Sequence, residues 1–235
     1  MTRFKGFTLA EVLITLGIIG VVAAMTMPAL IANYQKKVLE TKFKKAYSEI
    51  SQATELLKVK EDINVFEYAK ANSSQKALDK LMTQIKGASV LEGSSSFSNF
   101  TKYFYSPKSV DKKHSVGYYC DATNVYRGSN GIFYSMDDRP GSSSIVDPKL
   151  CIDTNGASLP NSLGYDLFVF TFTQDGNLVP FTYEWTVTQT SKKLDDISVQ
   201  CSYTSYGKPF SCSYYALSDT SPEDSSKSYW KDFLR

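Results

Sequence analysis

Histidine is almost absent. The 235 residues contain one, His114, set in Asp111-Lys112-Lys113-His114, which excludes any catalytic or metal site that needs two imidazoles and leaves His114 itself as a solvated loop residue. No C-x-x-C pair occurs, so the usual structural zinc arrangement is excluded as well. A G-x-S-x-G nucleophile elbow, a P-loop and an H-E-x-x-H helix are also missing. The serine clusters Ser94–Ser96 and Ser142–Ser144 follow Gly93 and Gly141 and read as loops. Arginine is scarce: between Arg3 and Arg235 only Arg127 and Arg139 occur. The many tyrosines, among them Tyr118, Tyr119, Tyr126, Tyr203, Tyr206, Tyr214 and Tyr215, therefore lack the clustered cations that a nucleic-acid groove interleaves with its stacking rings. The sequence requires no enzyme and no catalytic residue, and no nucleic-acid partner is expected.

Charge of either sign is missing from Val12 to Leu30. Together with Phe7 to Ala10 this apolar run reaches across a hydrocarbon core of about 30 Å at about 1.5 Å per helical residue. A short basic leader with Arg3 and Lys5 precedes it, and one acid, Glu11, stands at its head. Gly6-Phe7-Thr8-Leu9-Ala10-Glu11 closely resembles the processing site of class III signal sequences, those of type IV pilins and type II secretion pseudopilins. An ordinary secretory signal would also be basic and then apolar, with Val22-Ala23-Ala24 as a small-residue cleavage site, and a generic anchor would be equally hydrophobic. Neither accounts for Gly6 before Phe7 or for Glu11.

The resemblance covers residues 1 to about 58 and implies several things about the chain. Prepilin peptidase would cut between Gly6 and Phe7 and methylate the new amino terminus of Phe7. Glu11 would serve assembly with other pilin or pseudopilin subunits on a cytoplasmic-membrane platform. The location implied is single-pass in the cytoplasmic membrane with an extracytoplasmic head, and later an extracellular pilus or periplasmic pseudopilus. Removing the leader takes Arg3 and Lys5 from a formal net charge of +2, leaving 24 basic and 24 acidic side chains.

Four cysteines, Cys120, Cys151, Cys201 and Cys212, lie far from the apolar run, and disulfides place their surroundings in an oxidising compartment. The positive-inside tendency does not fix the orientation, because Lys36, Lys37, Lys42, Lys44 and Lys45 follow the span. Four cysteines permit three connectivities. The family often has a disulfide-bounded segment near its carboxyl end, and the pairing expected is Cys120–Cys151 with Cys201–Cys212.

Beyond Pro28 the pattern turns amphipathic: Val38, Leu39, Phe43, Ala46, Tyr47, Ile50, Ala53 and Leu57 form one helical stripe. A continuous helix from about Phe7 to Lys58 is expected, kinked or loosened at Pro28. A short helix within 59–74 and another over Gln75–Lys86 follow, ended by Gly87, and 87–106 reads as surface loop. Strands are expected at Val116–Cys120, Gly131–Met136, Leu150–Asp153 and Leu167–Thr173, with a hairpin turn at Gln174–Asn177. Further strands are expected at Leu178–Thr188 and Ile197–Tyr203, and Tyr229, Trp230, Phe233 and Leu234 tuck the tail down. The fold class is thus α+β: a long N-terminal helix, membrane-spanning in its first half and amphipathic in its second, packed on a mainly antiparallel pilin-like sheet head. The divisions expected are 1–6 leader, 7–33 transmembrane and assembly helix, 34–58 amphipathic stem helix and 59–235 globular head.

Asp153-Thr154-Asn155-Gly156, with Asp166 and Asp175 further on, could offer oxygen ligands to calcium, an ion that some pseudopilins bind. Regular alternation and a closing Glu are missing, so Asp and Asn read as turn formers, and no cofactor or metal is expected. The sequence reads as a structural subunit of a pilus or secretion pseudopilus. The alternative is a minor pilin whose head binds calcium, DNA or a surface.

Overall fold

The computed structural model describes residues 6, 8–91, 108–114, 120, 124–137, 148–181, 201–203 and 210–235. Phe7, most of the leader, the loop beyond Leu91 and the strands expected at 116–119, 182–188 and 197–200 lie outside the described residues.

Helix α1 (Leu9–Glu61) contains Pro28 and remains helical on both sides of it. The chain divides into two compact units, Met1–Val38 and Leu39–Arg235, and α1 contributes to both. In the first unit the apolar side chains are exposed, and the helix is long and apolar enough to cross a membrane. In the second unit the amphipathic stripe turns inward, with Leu39, Phe43, Ala46, Ile50, Ala53, Thr54 and Leu57 buried and Tyr47 half-buried. The helix ends at Glu61, slightly beyond Lys58, because Asp62 takes a left-handed φ of 53° and Ile63 N–H donates back to the Leu57 carbonyl at 3.2 Å.

Helix α2 (Val65–Ala71) starts on Asn64, whose Oδ1 accepts from the N–H groups of Phe66 and Glu67. Helix α3 (Ser74–Thr83) is capped in the same way by Ser73. Gly87 then turns the chain at φ 79°.

The described strands form one six-stranded antiparallel sheet in the order β1 (Ser89–Val90), β2 (Tyr126–Arg127), β3 (Phe133–Asp137), β4 (Lys149–Asp153), β5 (Leu167–Phe172) and β6 (Leu178–Pro180). Strand β1 corrects the reading of 87–106 as loop throughout, and β2 was not expected. Two-residue strands carry no alternation that a sequence could display. Along the longer strands the alternation is plain: Tyr134, Met136, Leu150, Ile152, Phe168 and Phe170 share a core with α1, whereas Phe133, Cys151, Leu167 and Val169 belong to a second cluster. The turn between β5 and β6 has Gly176 at φ 76° and is tied to the helices by Lys58 Nζ donating to Asn177 Oδ1 (2.7 Å) and Asn64 Nδ2 donating to the Gln174 carbonyl (2.8 Å).

Helix α4 (Cys212–Ser218) and a carboxy-terminal π-helix (Tyr229–Phe233) close the core. Trp230 stacks 5.4 Å from Phe43 and donates Nε1–H to the Ala216 carbonyl at 2.9 Å, while Tyr229 donates to the Gly164 carbonyl. Cys120 is bonded to Cys151 and Cys201 to Cys212, with Cα separations of 5.9 and 5.0 Å.

Candidate functional site

Two places concentrate polar chemistry against an apolar background. The first is the start of α1. Thr8 is its N-cap, and Glu11 stands three residues further on. Thr8 N–H donates to Glu11 Oε2 at 2.8 Å, the Thr8 hydroxyl donates to the same oxygen at 2.9 Å, and Glu11 N–H donates to Thr8 Oγ1 at 3.3 Å. This is a capping box, in which the two side chains satisfy backbone donors that the first helical turn leaves open. This role of Glu11 is not among those expected above; its signal in the sequence is Thr-x-x-Glu before an apolar run. Gly6 is exposed, and a Cβ built on it meets nothing within 4 Å, so packing does not demand a glycine there.

The second place is the connection between β4 and β5, where Asp153 and Asp166 are both fully buried. Asp153 closes β4 and Asp166 precedes β5, and the antiparallel register that pairs Asp153 with Leu167 brings these chain-distant acids together. Asp153 Oδ1 accepts from the N–H groups of Asn155 (3.1 Å) and Gly156 (2.9 Å), the turn-forming use expected for such residues. Asp166 organises the rest of the connection: Oδ1 accepts from Ser162 N–H at 2.5 Å, and Oδ2 accepts from Asn161 N–H at 3.0 Å and Asn155 Nδ2 at 2.9 Å. Asn155 therefore bonds to both acids.

Burial first, and then the charge of Asp166, hold the Asp153 carboxyl well above the usual carboxylate range. The N–H groups of Asn155 and Gly156 and the charge of Lys42 offset part of this. Burial raises Asp166 too, against the hydrogen bonds it accepts. Asp175 does not join them: it is exposed in the β5–β6 turn.

The other residues singled out in the sequence sit apart. His114 Nδ1 lies 2.5 Å from Asp111 Oδ2 in a surface loop, where Ser109 and the N–H groups of Lys113 and His114 also bond to Asp111. Cys120, Cys151, Cys201 and Cys212 are buried in their bridges.

Residues 29–216 match the model of a family of unknown function (DUF6613), and residues 1–27 match the prokaryotic N-terminal methylation motif. No curated protein and no solved structure matches the chain.

Proposed function

Because the chain belongs to the DUF6613 family and opens with the methylation motif of type IV pilins and pseudopilins, we propose that this pilin-like precursor matures into a structural subunit of a type IV pilus or type II secretion pseudopilus. Prepilin peptidase cuts between Gly6 and Phe7 and methylates Phe7. Residues 1–6 are lost as leader, 7–33 anchor the subunit in the cytoplasmic membrane and later pack in the assembly, 34–58 are the stem, and 59–235 form an extracytoplasmic head that two disulfides suit to an oxidising space.

One observation carries this reading: a motif-bearing helix whose apolar residues are exposed over its first unit while its second unit is core. An exposed apolar surface of that length needs lipid or other helices around it. Gly6, which no packing contact requires, fits recognition by a peptidase better than folding.

Glu11 then has a task in assembly. Cleavage converts the Phe7 nitrogen from a neutral amide to a cation, four residues or about 6 Å before Glu11 along the helix. A neighbouring subunit displaced axially by that distance presents its amine to this carboxylate. Both Thr8 donors use Oε2, so that amine can be taken at Oε1 while the cap is kept. No step in this function requires catalysis by the chain. One observation, the buried acids of the β4–β5 connection, favours a second reading in which the head of a minor subunit also binds a ligand.

The test is the intact mass of the protein from a strain with prepilin peptidase, together with its recovery in sheared surface filaments or assembled pseudopilus. A chain beginning at methylated Phe7 is expected. A mature terminus at Met25, or retention of Met1, overturns the reading.

A further inference from the structure

The charges that follow the apolar run are lopsided. No charged residue stands from Val12 to Gln35, and the next stretch, to Ser48, holds Lys36, Lys37, Lys42, Lys44 and Lys45 against a single acid, Glu40. That acid is engaged already: Glu40 Oε1 lies 2.7 Å from Lys44 Nζ, and its side chain is only 12% exposed. The first two lysines belong with the apolar helix to the unit Met1–Val38, where Lys37 is exposed, Lys36 half-buried and the preceding Tyr34 70% exposed. We propose that Tyr34, Lys36 and Lys37 form a docking collar for anionic phospholipid headgroups. The proposal rests on the membrane anchoring set out above.

Axial position selects this partner. A charged Glu11 belongs at the edge of the hydrocarbon rather than within it. From Val12 to Ile31 the helix then rises about 30 Å, the thickness of a hydrocarbon core. On that register Tyr34 comes about 4 Å beyond the far edge, and Lys36 and Lys37 about 7–9 Å beyond it. The polar layer of the bilayer is about 5–8 Å deep on each side, and lysine stems can bend back to place their ammonium groups within it. A tyrosine followed by lysines is the order that suits an interface, with the ring at headgroup level and the cations among phosphates.

Two other uses fit less well. A helix face that is merely solvated has no need to gather cations of one sign beside the span, on the side where the positive-inside tendency disfavours them. A second copy at the same level presents the same lysines, and like charges oppose that contact. A lipid phosphate is anionic, mobile and present at that depth before any assembly begins. The collar holds the subunit at a fixed depth, and it makes departure from the bilayer sensitive to salt and to lipid charge.

The full chain is reconstituted into phosphatidylcholine vesicles with a trace of spin-labelled phosphatidylglycerol or spin-labelled phosphatidylcholine, and the lipid held against the protein is read by electron paramagnetic resonance. Arg3 and Lys5 are the same in every sample, so each variant is compared with the parent chain. The parent is expected to favour phosphatidylglycerol by about fivefold at low salt. Most of that preference should vanish in about 1 M sodium chloride, where the Debye length is about 3 Å. Lys36→Gln combined with Lys37→Gln is expected to lower the ratio to about half or less. Lys60→Gln, at an exposed site much farther along α1, is expected to leave it unchanged. A preference that the double variant keeps, that Lys60→Gln lowers equally, or that salt does not weaken overturns the proposal. Unchanged lipid ratios with lower filament recovery in the double variant also overturn it, and assign the lysines to a contact between subunits. A chain that does not float with the vesicles removes the anchor and the collar together, whereas one that floats without lipid preference removes the collar alone.

Discussion

Replacing Phe43 by alanine tests whether the second half of α1 is part of the head or an accessory to it. The ring is 1% exposed, and its centroid lies 4.5 Å from Phe168, 5.4 Å from Trp230 and 5.8 Å from Phe170. Truncating a buried phenylalanine costs about 3–5 kcal/mol, more when the walls of the cavity cannot collapse. Here the walls are three aromatic rings held by a sheet and by the carboxy-terminal π-helix, so about 4–5 kcal/mol is expected. For a domain of this size each kcal/mol lowers the melting midpoint by about 2–4 °C, which gives a fall of about 8–20 °C. Val59→Ala is the control, because Val59 lies on the same helix and is 81% exposed; it should change stability by less than about 0.5 kcal/mol. Urea unfolding of the full chain in detergent, followed by near-ultraviolet circular dichroism, reads both. If the two variants unfold within about 1 kcal/mol of one another, the stem is not core and the packing described above is wrong.

Glu11→Ala should leave cleavage and membrane insertion largely intact and lower recovery in sheared filaments or pseudopilus; normal incorporation removes the assembly role, and failed cleavage moves Glu11 to peptidase recognition. Replacing Cys201 and Cys212 by serine should destabilise the head by about 3 kcal/mol in the chain-entropy account, measured by denaturant unfolding, and non-reducing peptide mapping should show no crossed pairs in the parent chain. Asp111 supplies a pH test. Burial alone would raise its carboxyl, but hydrogen bonds from Ser109, Lys113 and His114 outweigh it and hold the group well below the ordinary range. A depressed folded value stabilises the fold above the unfolded pKa of about 3.9, and that contribution disappears as pH falls further towards the folded value. Asp111→Asn should therefore lower stability near neutrality and flatten the loss below about pH 4, which acid titration of the unfolding midpoint can follow.

The stem was legible because its signal is local: Leu39, Phe43, Ala46, Ile50, Ala53 and Leu57 recur at helical spacing, and the same residues are buried. The β5–β6 turn was legible for a similar reason, since Asp175-Gly176 between apolar runs demands a conformation that glycine adopts easily. Helix α4 was not legible. It is short, its N-cap Ser211 makes no side-chain cap hydrogen bond, and its place depends on Cys212 being tied to Cys201. That the acids of the β4–β5 connection are buried together was not legible, because their meeting depends on strand register and not on spacing along the chain. At the amino terminus Thr8-x-x-Glu11 before an apolar run is the local pattern of the capping box, and the same Glu11 also falls in the resemblance to a processing site.

The order of the sheet bears on how the head comes into being. Each described strand pairs with its neighbour in sequence, from β1 through β6, so from β2 onward pairing can advance along the chain with connections much shorter than the head itself, a topology that favours rapid early structure. The contact of Trp230 with Phe43 is of the opposite kind, joining the π-helix to the stem across nearly the whole head. Closing it carries the largest loop entropy and comes late. The sheet is thus expected to form before its lid, with the aromatic stripe of the stem uncovered in the interval. Variants in Trp230 or Phe233 would prolong that interval without disturbing strand pairing.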